Sequence, residues 1–128
     1  MIERTVGFIG AGMMAEALTR GILESEVARA RNVYASDPSS RRREIFREMI
    51  GQNIFAANGE VVERAEVIVL AVKPGTLPTV IDDIAPEVTT DHLVVSIVPG
   101  VTLKWLHQKL GTARLIRVMP NTPALVEQ

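Results

Sequence analysis

Two glycines and an alanine near the amino terminus have the spacing of a phosphate-binding turn. An apolar run from Thr5 to Ile9 leads into Gly10-Ala-Gly-Met-Met-Ala15, and a helical pattern follows at once. Gly10 permits a tight turn, Gly12 lets the backbone approach a diphosphate, and Ala15 lets the helix pack close to the strand. The free N–H groups and the positive dipole end of that helix favour an anion. The sequence therefore predicts a dinucleotide site at this glycine loop (residues 10–14), with an ordinary tight strand–helix turn as the alternative.

Strands and helices alternate along the chain that must position this loop. Short apolar runs rich in β-branched residues predict strands, and the segments between them have helical spacing. The predicted strands are 5–9, 32–36, 53–55, 67–72, 93–98 and 115–119, and the predicted helices are 12–24, 38–49, 59–64, 74–84 and 103–110. This alternation predicts an α/β fold: a Rossmann-type, doubly wound and mainly parallel sheet with helices on both faces.

Local signals set several helix boundaries. Asp37 suits the N-cap of the second helix and Pro38 its first position. Pro78 must lie in the first turn of the 74–84 helix or displace its start. Thr102 is predicted to cap the last helix and Gly111 to end it. On the first helix, the spacing predicts that one face is formed by Met14, Ala17, Leu18, Gly21 and Ile22.

Five loops directly follow strands and so are expected on one rim of a parallel sheet, where ligands bind. They are 10–14, 36–43, 73–76, 99–102 and 120–123. Lys73 is a candidate for the cofactor's phosphates or adenosine, with an ordinary exposed lysine as the alternative. Gly100 lets backbone approach a ligand or simply makes a turn. Asn121 offers an amide for a nicotinamide carboxamide, or an Asx-type turn.

The loop after the second strand carries signals for both nicotinamide cofactors. An acid at this position accepts hydrogen bonds from the adenosine ribose of NAD, whereas hydroxyls and cations hold the 2′-phosphate of NADP. Asp37 is the acid, Ser36, Ser39 and Ser40 are the hydroxyls, and Arg41-Arg-Arg43 supplies three cations. A helix dipole disfavours cations in a first turn, so a bound anion would explain them. NADP is the preferred prediction and NAD the alternative.

Composition bounds the class of protein. The chain has 128 residues, 47% of them hydrophobic, and a net charge of -1, which suits one ordered domain without a nucleic-acid partner. It has no cysteine, which excludes disulfides and thiolate metal sites and fits the cytoplasm. No signal-peptide core or membrane span is expected, and His92 and His107 lack clustered carboxylates for a metal. No nucleophile stands at a meaningful spacing from a base, so the sequence assigns no catalytic residue.

Four stretches together resemble pyrroline-5-carboxylate reductase, in that family's order and spacing. They are Val6 to Leu18, Ala71 to Pro74, Leu93 to Ile97 with Gly100 to Thr102, and Arg117 to Val126, and the similarity covers essentially the whole chain. Met-Pro-Asn-Thr-Pro at 119–123 is the most specific piece. The resemblance implies reduction of the C=N bond of 1-pyrroline-5-carboxylate to L-proline by hydride from NADPH or NADH.

The same resemblance implies a set of cofactor-binding residues. The glycine loop would hold the diphosphate, the loop from Ser36 would hold the adenosine end, and residues 72–74 would border the cofactor. Gly100, Met119 and Asn121 would lie near the nicotinamide. The full predicted set is Gly10, Gly12, Met13, Met14, Ser36, Asp37, Arg41, Val72, Lys73, Pro74, Gly100, Met119 and Asn121.

The chain also departs from the family's pattern. Met13 stands where the family often carries an amide, and Val98-Pro99 replaces smaller residues. The family continues into a helical domain that dimerises and supplies most of the substrate pocket, and we expect that domain to lie outside these 128 residues. Two alternatives stay open: a stand-alone dinucleotide-binding or sensing module, and the cofactor domain of a related F420/NADP-type oxidoreductase, against which residues 119–123 argue.

Overall fold

The computed structural model of the chain describes residues 3–111 and 114–118. Within them, strands and helices alternate and every strand pairing is parallel. The elements are β1 (Val6–Ile9), α1 (Met13–Glu24), β2 (Val33–Ser36), α2 (Ser40–Ile50), β3 (Ile54–Phe55), α3 (Asn58–Arg64), β4 (Val67–Leu70), α4 (Leu77–Ile84), β5 (Leu93–Ser96), α5 (Leu103–Leu110) and β6 (Arg114–Arg117). The strand order is β3-β2-β1-β4-β5-β6. The predicted Rossmann-type fold is confirmed.

Helices cover both faces of the sheet because neighbouring strand residues point to opposite sides. On one face, Ile9 and Leu70 pack with apolar residues of α3, α4 and α5. On the other face, Phe8 and Val33 pack with α1 and α2, where Phe46 is fully buried. A strand that is covered on both faces has apolar side chains at every position, which explains the uninterrupted Val-Ile-Val-Leu sequence of β4.

The second helix begins two residues later than the sequence predicts. Ser39, not Asp37, is the N-cap of α2, and its hydroxyl accepts a hydrogen bond from the backbone N–H of Arg42 at 3.2 Å. The Asp37 carboxylate accepts instead from the backbone N–H of Ala11. The prediction that Asp37 caps this helix is therefore wrong, because a distant donor takes the carboxylate.

Other boundaries shift by one to three residues. Pro78 displaces the start of α4 from residue 74 to Leu77, so that the proline lies in the first turn. Strands β4 and β5 end two residues before their predicted ends. The cap at Thr102 and the end at Gly111 are confirmed for α5. Strand β6 begins one residue early, and the predicted strand end at 119 lies outside the described residues.

The face that α1 buries also differs from the prediction. Ala15 and Thr19 are fully buried, whereas Ala17, Leu18 and Gly21 are exposed. A small residue at 15 lets the helix approach β1 closely, and that approach selects the face with the small side chain over the more hydrophobic one. Met14 and Ile22 of the predicted stripe do pack against the core, so the prediction was wrong only at its other three members.

Gly7 in the middle of β1 sets how closely α3 packs on the sheet. A Cβ atom there would lie 2.3 Å from Val61 Cγ1 and 2.8 Å from Ala65 Cβ. We expect Gly7→Ala to lower the free energy of unfolding by about 1–3 kcal/mol because the added methyl overpacks the core. Urea denaturation followed by circular dichroism measures it.

Gly21→Ala is the matched control for that substitution. Gly21 lies on the exposed side of α1, and a Cβ atom there meets nothing within 4 Å. Alanine in a helix is favoured over glycine by up to about 1 kcal/mol, so this variant should be as stable as the parent chain or more so. Equal unfolding free energies for the two variants would contradict the close packing of α3.

Candidate dinucleotide-binding site

The carboxyl ends of the strands meet along one rim of the sheet. The parallel register pairs Ile9 with Ser36 and with Leu70, and it pairs Leu70 with Ser96. The loops that follow these strands therefore open side by side, as ligand sites of this fold do. They form a cavity of about 620 Å³, lined by Gly10, Gly12, Met13, Ser36, Asp37, Pro38, Arg42, Ala56, Asn58, Ala71, Val72, Lys73, Thr76 and Val80.

Gly10 makes the turn that brings the glycine loop back over the sheet. Its φ is 101°, a left-handed conformation, and a Cβ atom there would lie 2.8 Å from the carbonyl oxygen of Ala71. The Gly10 N–H donates to the carbonyl of Ser36 at 2.9 Å, and the Ala71 N–H donates to the carbonyl of Ile9 at 2.9 Å. Only glycine combines this φ with this contact, which is the role that the sequence predicts for Gly10.

Gly12 leaves open space at the start of α1. It is the N-cap of that helix, no side chain within the described residues caps the first turn, and a Cβ atom at Gly12 would meet nothing within 4 Å. The first backbone N–H groups of a helix lack intrahelical acceptors, and the helix dipole adds positive potential there. The open space and the uncapped amides together fit a diphosphate group.

Asp37 lies beside this loop with both carboxylate oxygens engaged. Oδ2 accepts from the Ala11 N–H at 2.9 Å, and Oδ1 accepts from the Ser39 N–H at 2.9 Å. The carboxylate lines the cavity, but its hydrogen bonds join the β2–α2 loop (residues 37–39) to the glycine loop. An acid so engaged has less capacity left for a ribose diol than the sequence suggests.

The three arginines at the start of α2 have three different environments. Arg42 lines the cavity and donates through Nε to the carbonyl of Ala11 at 2.6 Å, and Arg43 donates to the carbonyls of Asp37 and Pro38 at 2.9 Å. Arg41 is exposed, and its guanidinium makes no hydrogen bond or ion pair within the part of the chain that the structure describes. Arg41 is therefore the arginine of this cluster that is most available to an anion.

Glu16 on α1 completes the charge arrangement around Arg42. Its carboxylate accepts from Arg42 at 2.7 Å and from Arg20 at 3.0 Å. The hydrogen bond from Arg42, followed by that from Arg20, holds the pKa of Glu16 below its usual range. These hydrogen bonds keep the Arg42 side chain on the α1 side of the cavity, and the lowered pKa extends toward acid pH the range in which the Glu16 carboxylate is charged.

Ser36 and Asn58 form a polar pair at the base of the cavity. The Ser36 hydroxyl is fully buried and donates to Asn58 Oδ1 at 2.8 Å, while Asn58 Nδ2 donates to Asp83 at 3.3 Å. Sequence reasoning missed Asn58 together with Ala56 and Val80 as cavity residues, whereas Thr76 belongs to the predicted 73–76 rim loop. The parallel direction of β3 would have revealed the first two, because the loop after β3 opens on the same rim.

Two further cavities continue along the rim toward β5. One of about 320 Å³ is lined by Gly12, Met13, Met14, Ala71, Val72, Lys73, Pro74, Ile97 and Pro99. The next, of about 460 Å³, is lined by Pro74, Leu77, Pro78, Pro99, Gly100, Val101, Thr102 and Trp105. Met13 lines two of the three cavities and is 82% exposed, so its side chain is available to a ligand at either.

The structure thus brings most of the predicted site residues to one continuous edge. Arg41 is next to that edge but lines none of the three cavities. Met119 and Asn121 lie outside the described residues, so their predicted place beside the nicotinamide stays a prediction.

Two other findings concern residues 3–111 and 114–118 only. No helix there is both long and apolar enough to cross a membrane. No group of three or more histidine, aspartate or glutamate side chains there could hold a metal ion.

Several pyrroline-5-carboxylate reductases are similar to this chain in sequence and in structure. Pyrroline-5-carboxylate reductase 3 of Mus musculus is 39% identical over 126 residues, which cover 98% of this chain and 46% of the mouse protein. The structure of pyrroline-5-carboxylate reductase from Coxiella burnetii aligns with a TM-score of 0.88 at 30% identity, over 98% of this chain and 47% of that one. Plasmodium falciparum pyrroline carboxylate reductase with NADP bound aligns with a TM-score of 0.80 at 30% identity, over 100% of this chain and 46% of that one. The chain spans less than half the length of these relatives.

The sheet order, the glycine turn and the open helix terminus define a Rossmann-type dinucleotide-binding domain. The family model described as "NADP oxidoreductase coenzyme F420-dependent" matches residues 5–100. The chain belongs to that family and corresponds to the N-terminal NAD(P)-binding domain of pyrroline-5-carboxylate reductase, as its sequence motifs predict.

Proposed function

We propose that this chain is the cofactor-binding domain of an NAD(P)H-dependent reductase that converts 1-pyrroline-5-carboxylate to L-proline. The observation that carries the proposal is the open, uncapped start of α1 above Gly12, in a chain that matches the N-terminal half of such reductases. The cofactor, when bound, supplies the hydride that reduces the C=N bond. We further propose a cytoplasmic, homo-oligomeric full-length protein, with the helical domain of the family outside these residues.

The chain's own residues would bind and orient that cofactor along the rim. The glycine loop would hold the diphosphate through its backbone N–H groups. Ser36, Asp37, Arg41 and the newly found Asn58 would surround the adenosine end. Lys73 and its neighbours Val72 and Pro74 would border the middle of the cofactor, and Gly100, Met119 and Asn121 the nicotinamide end.

Titration calorimetry of this chain with NADPH and with NADH tests the proposal. We expect saturable one-to-one binding of at least one of them. ADP-ribose, which lacks the nicotinamide, should compete with the dinucleotide because it still occupies the glycine loop. The absence of any binding heat at millimolar dinucleotide, from a chain that is folded by circular dichroism, would overturn the proposal.

We also propose that NADPH is preferred over NADH. Arg41 is exposed beside the cavity and offers an uncommitted cation to a 2′-phosphate, whereas both oxygens of Asp37 already accept backbone hydrogen bonds. The structure of a relative that is 30% identical contains NADP. Because the Asp37 carboxylate already accepts two hydrogen bonds, it has less capacity to accept hydrogen bonds from the ribose hydroxyls of NADH. Its negative charge still repels the 2′-phosphate and so offsets part of the attraction to Arg41.

Arg41→Met should weaken NADPH binding by roughly tenfold and leave NADH binding unchanged. A charge-assisted hydrogen bond to the 2′-phosphate contributes about 1.5–3 kcal/mol, and solvent exposure places Arg41 at the low end of that range. Calorimetric dissociation constants for both cofactors give the result. Arg47→Met is the matched control, because Arg47 lies on the same helix and pairs with Glu44. The parent chain could instead bind NADH and NADPH equally well, with both affinities unchanged in Arg41→Met. That result would contradict the NADPH preference and favour Asp37 as a ligand of the adenosine ribose of NAD.

A further inference from the structure

Both polar backbone groups of Ala11, in the middle of the glycine loop, are held by side chains that follow β2. The Ala11 N–H donates to Asp37 Oδ2 at 2.9 Å, and the Ala11 carbonyl accepts from Arg42 Nε at 2.6 Å. These residues are 26 and 31 positions away along the chain. Ala11 itself is fully buried, and both hydrogen bonds are partly buried, so losing either partner would leave a polar backbone group poorly satisfied.

The two side chains are fixed in turn by other contacts. Arg42 donates through its second arm to Glu16 on α1 at 2.7 Å, and its side chain is only 21% exposed. The second oxygen of Asp37 accepts from Ser39, whose hydroxyl caps the backbone of Arg42. The result is a closed set of hydrogen bonds that connects α1, the glycine loop and the start of α2, which we call the Ala11 clamp (Ala11, Glu16, Asp37, Ser39 and Arg42).

We propose that the Ala11 clamp positions the glycine loop for the dinucleotide's diphosphate, with Arg42 as the positioning residue. The inference rests on the proposed function, namely that this chain binds NAD(P)(H). A loop that already has its bound conformation loses less conformational freedom on binding, which raises affinity without any contact to the ligand. The guanidinium forks between the Ala11 carbonyl and the Glu16 carboxylate, a geometry that a lysine ammonium cannot reproduce on both partners.

A positioning role and direct contact with the 2′-phosphate predict different cofactor dependences for Arg42. The diphosphate is common to NADH and NADPH, so Arg42→Met should weaken both by the same factor of about ten and leave their ratio unchanged. Arg42→Lys should restore only part of the affinity, because it keeps one arm of the fork. Glu16→Gln, which keeps the shape but removes the charge, should weaken both cofactors in the same direction by a smaller factor. Arg47→Met should change neither affinity.

Hydrogen exchange gives a second readout that needs no cofactor. The Ala11 amide in the ligand-free chain should exchange slowly because Asp37 accepts its hydrogen bond, and it should exchange faster in Arg42→Met once the other half of the clamp is lost. Exchange of core amides in β4 and the thermal midpoints of all variants show whether a variant is folded. Arg42→Lys and Glu16→Gln keep the test valid should Arg42→Met unfold.

The outcomes separate this inference from the proposed function. A parent chain that binds both cofactors, with variants that bind them equally well, overturns the positioning role and leaves the proposed function standing. If Arg42→Met loses NADPH binding but keeps NADH binding, the positioning role is also overturned, because that result would identify Arg42 as a ligand of the 2′-phosphate. A parent chain that binds neither cofactor overturns both. Equal weakening of both cofactors with faster Ala11 exchange supports the clamp.

Discussion

The 128-residue chain assayed alone should oxidise NADPH with 1-pyrroline-5-carboxylate at least about a thousandfold more slowly than a full-length relative. Hydride transfer needs the imine carbon to be held about 3–3.5 Å from the nicotinamide, and such positioning supplies roughly 7–11 kcal/mol of the barrier. The rim of this sheet offers one side of a site. The three cavities along it are partly open to solvent.

The titratable groups along the rim explain why we expect so little turnover from the isolated chain. Within the described residues, Asp37, Arg42 and Lys73 are the titratable side chains that line the three cavities. Asp37 accepts two backbone hydrogen bonds and Arg42 is held in the Ala11 clamp. Lys73 is exposed at the cofactor's predicted middle. None of these three lining side chains is thus placed both to bind a substrate carboxylate and to protonate the ring nitrogen.

A chimera supplies the matched comparison. This chain would be joined to the second half of the Coxiella burnetii reductase, and NADPH oxidation would be followed at 340 nm for the chain, the chimera and the parent reductase. We expect turnover by the chimera and none above background by the chain. Comparable turnover by the chain and by the chimera would show that residues 1–128 contain the catalytic groups. Cofactor binding without turnover in both would favour a sensing module.

Gly12→Val should abolish dinucleotide binding, by a hundredfold or more in affinity, while the fold remains intact. The backbone at Gly12 has φ -79° and ψ -168°, which any residue adopts, and a Cβ atom there contacts nothing in the ligand-free protein. A branched side chain would instead fill the space that the diphosphate must enter, above the first N–H groups of α1. The steric block acts on NADH and NADPH alike.

Stability and binding must be measured together for this variant. Valine is a poorer N-cap than glycine, so we expect a loss of at most about 1 kcal/mol in unfolding free energy. Gly21→Val, an exposed site farther along α1, is the control for a β-branched residue on the same helix. Gly10→Val cannot serve, because the left-handed φ and the contact with Ala71 would disturb the fold itself. Unchanged calorimetric affinity in folded Gly12→Val would place the cofactor elsewhere.

The sequence alone determined the architecture because the signals for it are local. Apolar runs with β-branched residues mark β4 and β5, Thr102 and Gly111 delimit α5, and glycine spacing marks the turn after β1. Each of these depends on residues a few positions apart. Alternation of strands and helices then implies a parallel sheet, and a parallel sheet implies that the loops share a rim.

Tertiary structure decided how polar groups are paired, since a hydrogen bond forms with whichever partner is near in space. Asp37 is a plausible cap by its local sequence, yet the fold brings the Ala11 N–H within its reach. Arg42 looks equivalent to Arg41 and Arg43 until α1 supplies Glu16 and the glycine loop supplies a carbonyl. Asn58 joins the site only because β3 pairs beside β2. Local patterns fix where strands and helices form, whereas these partners lie 22 to 31 residues apart and meet only after the sheet has assembled.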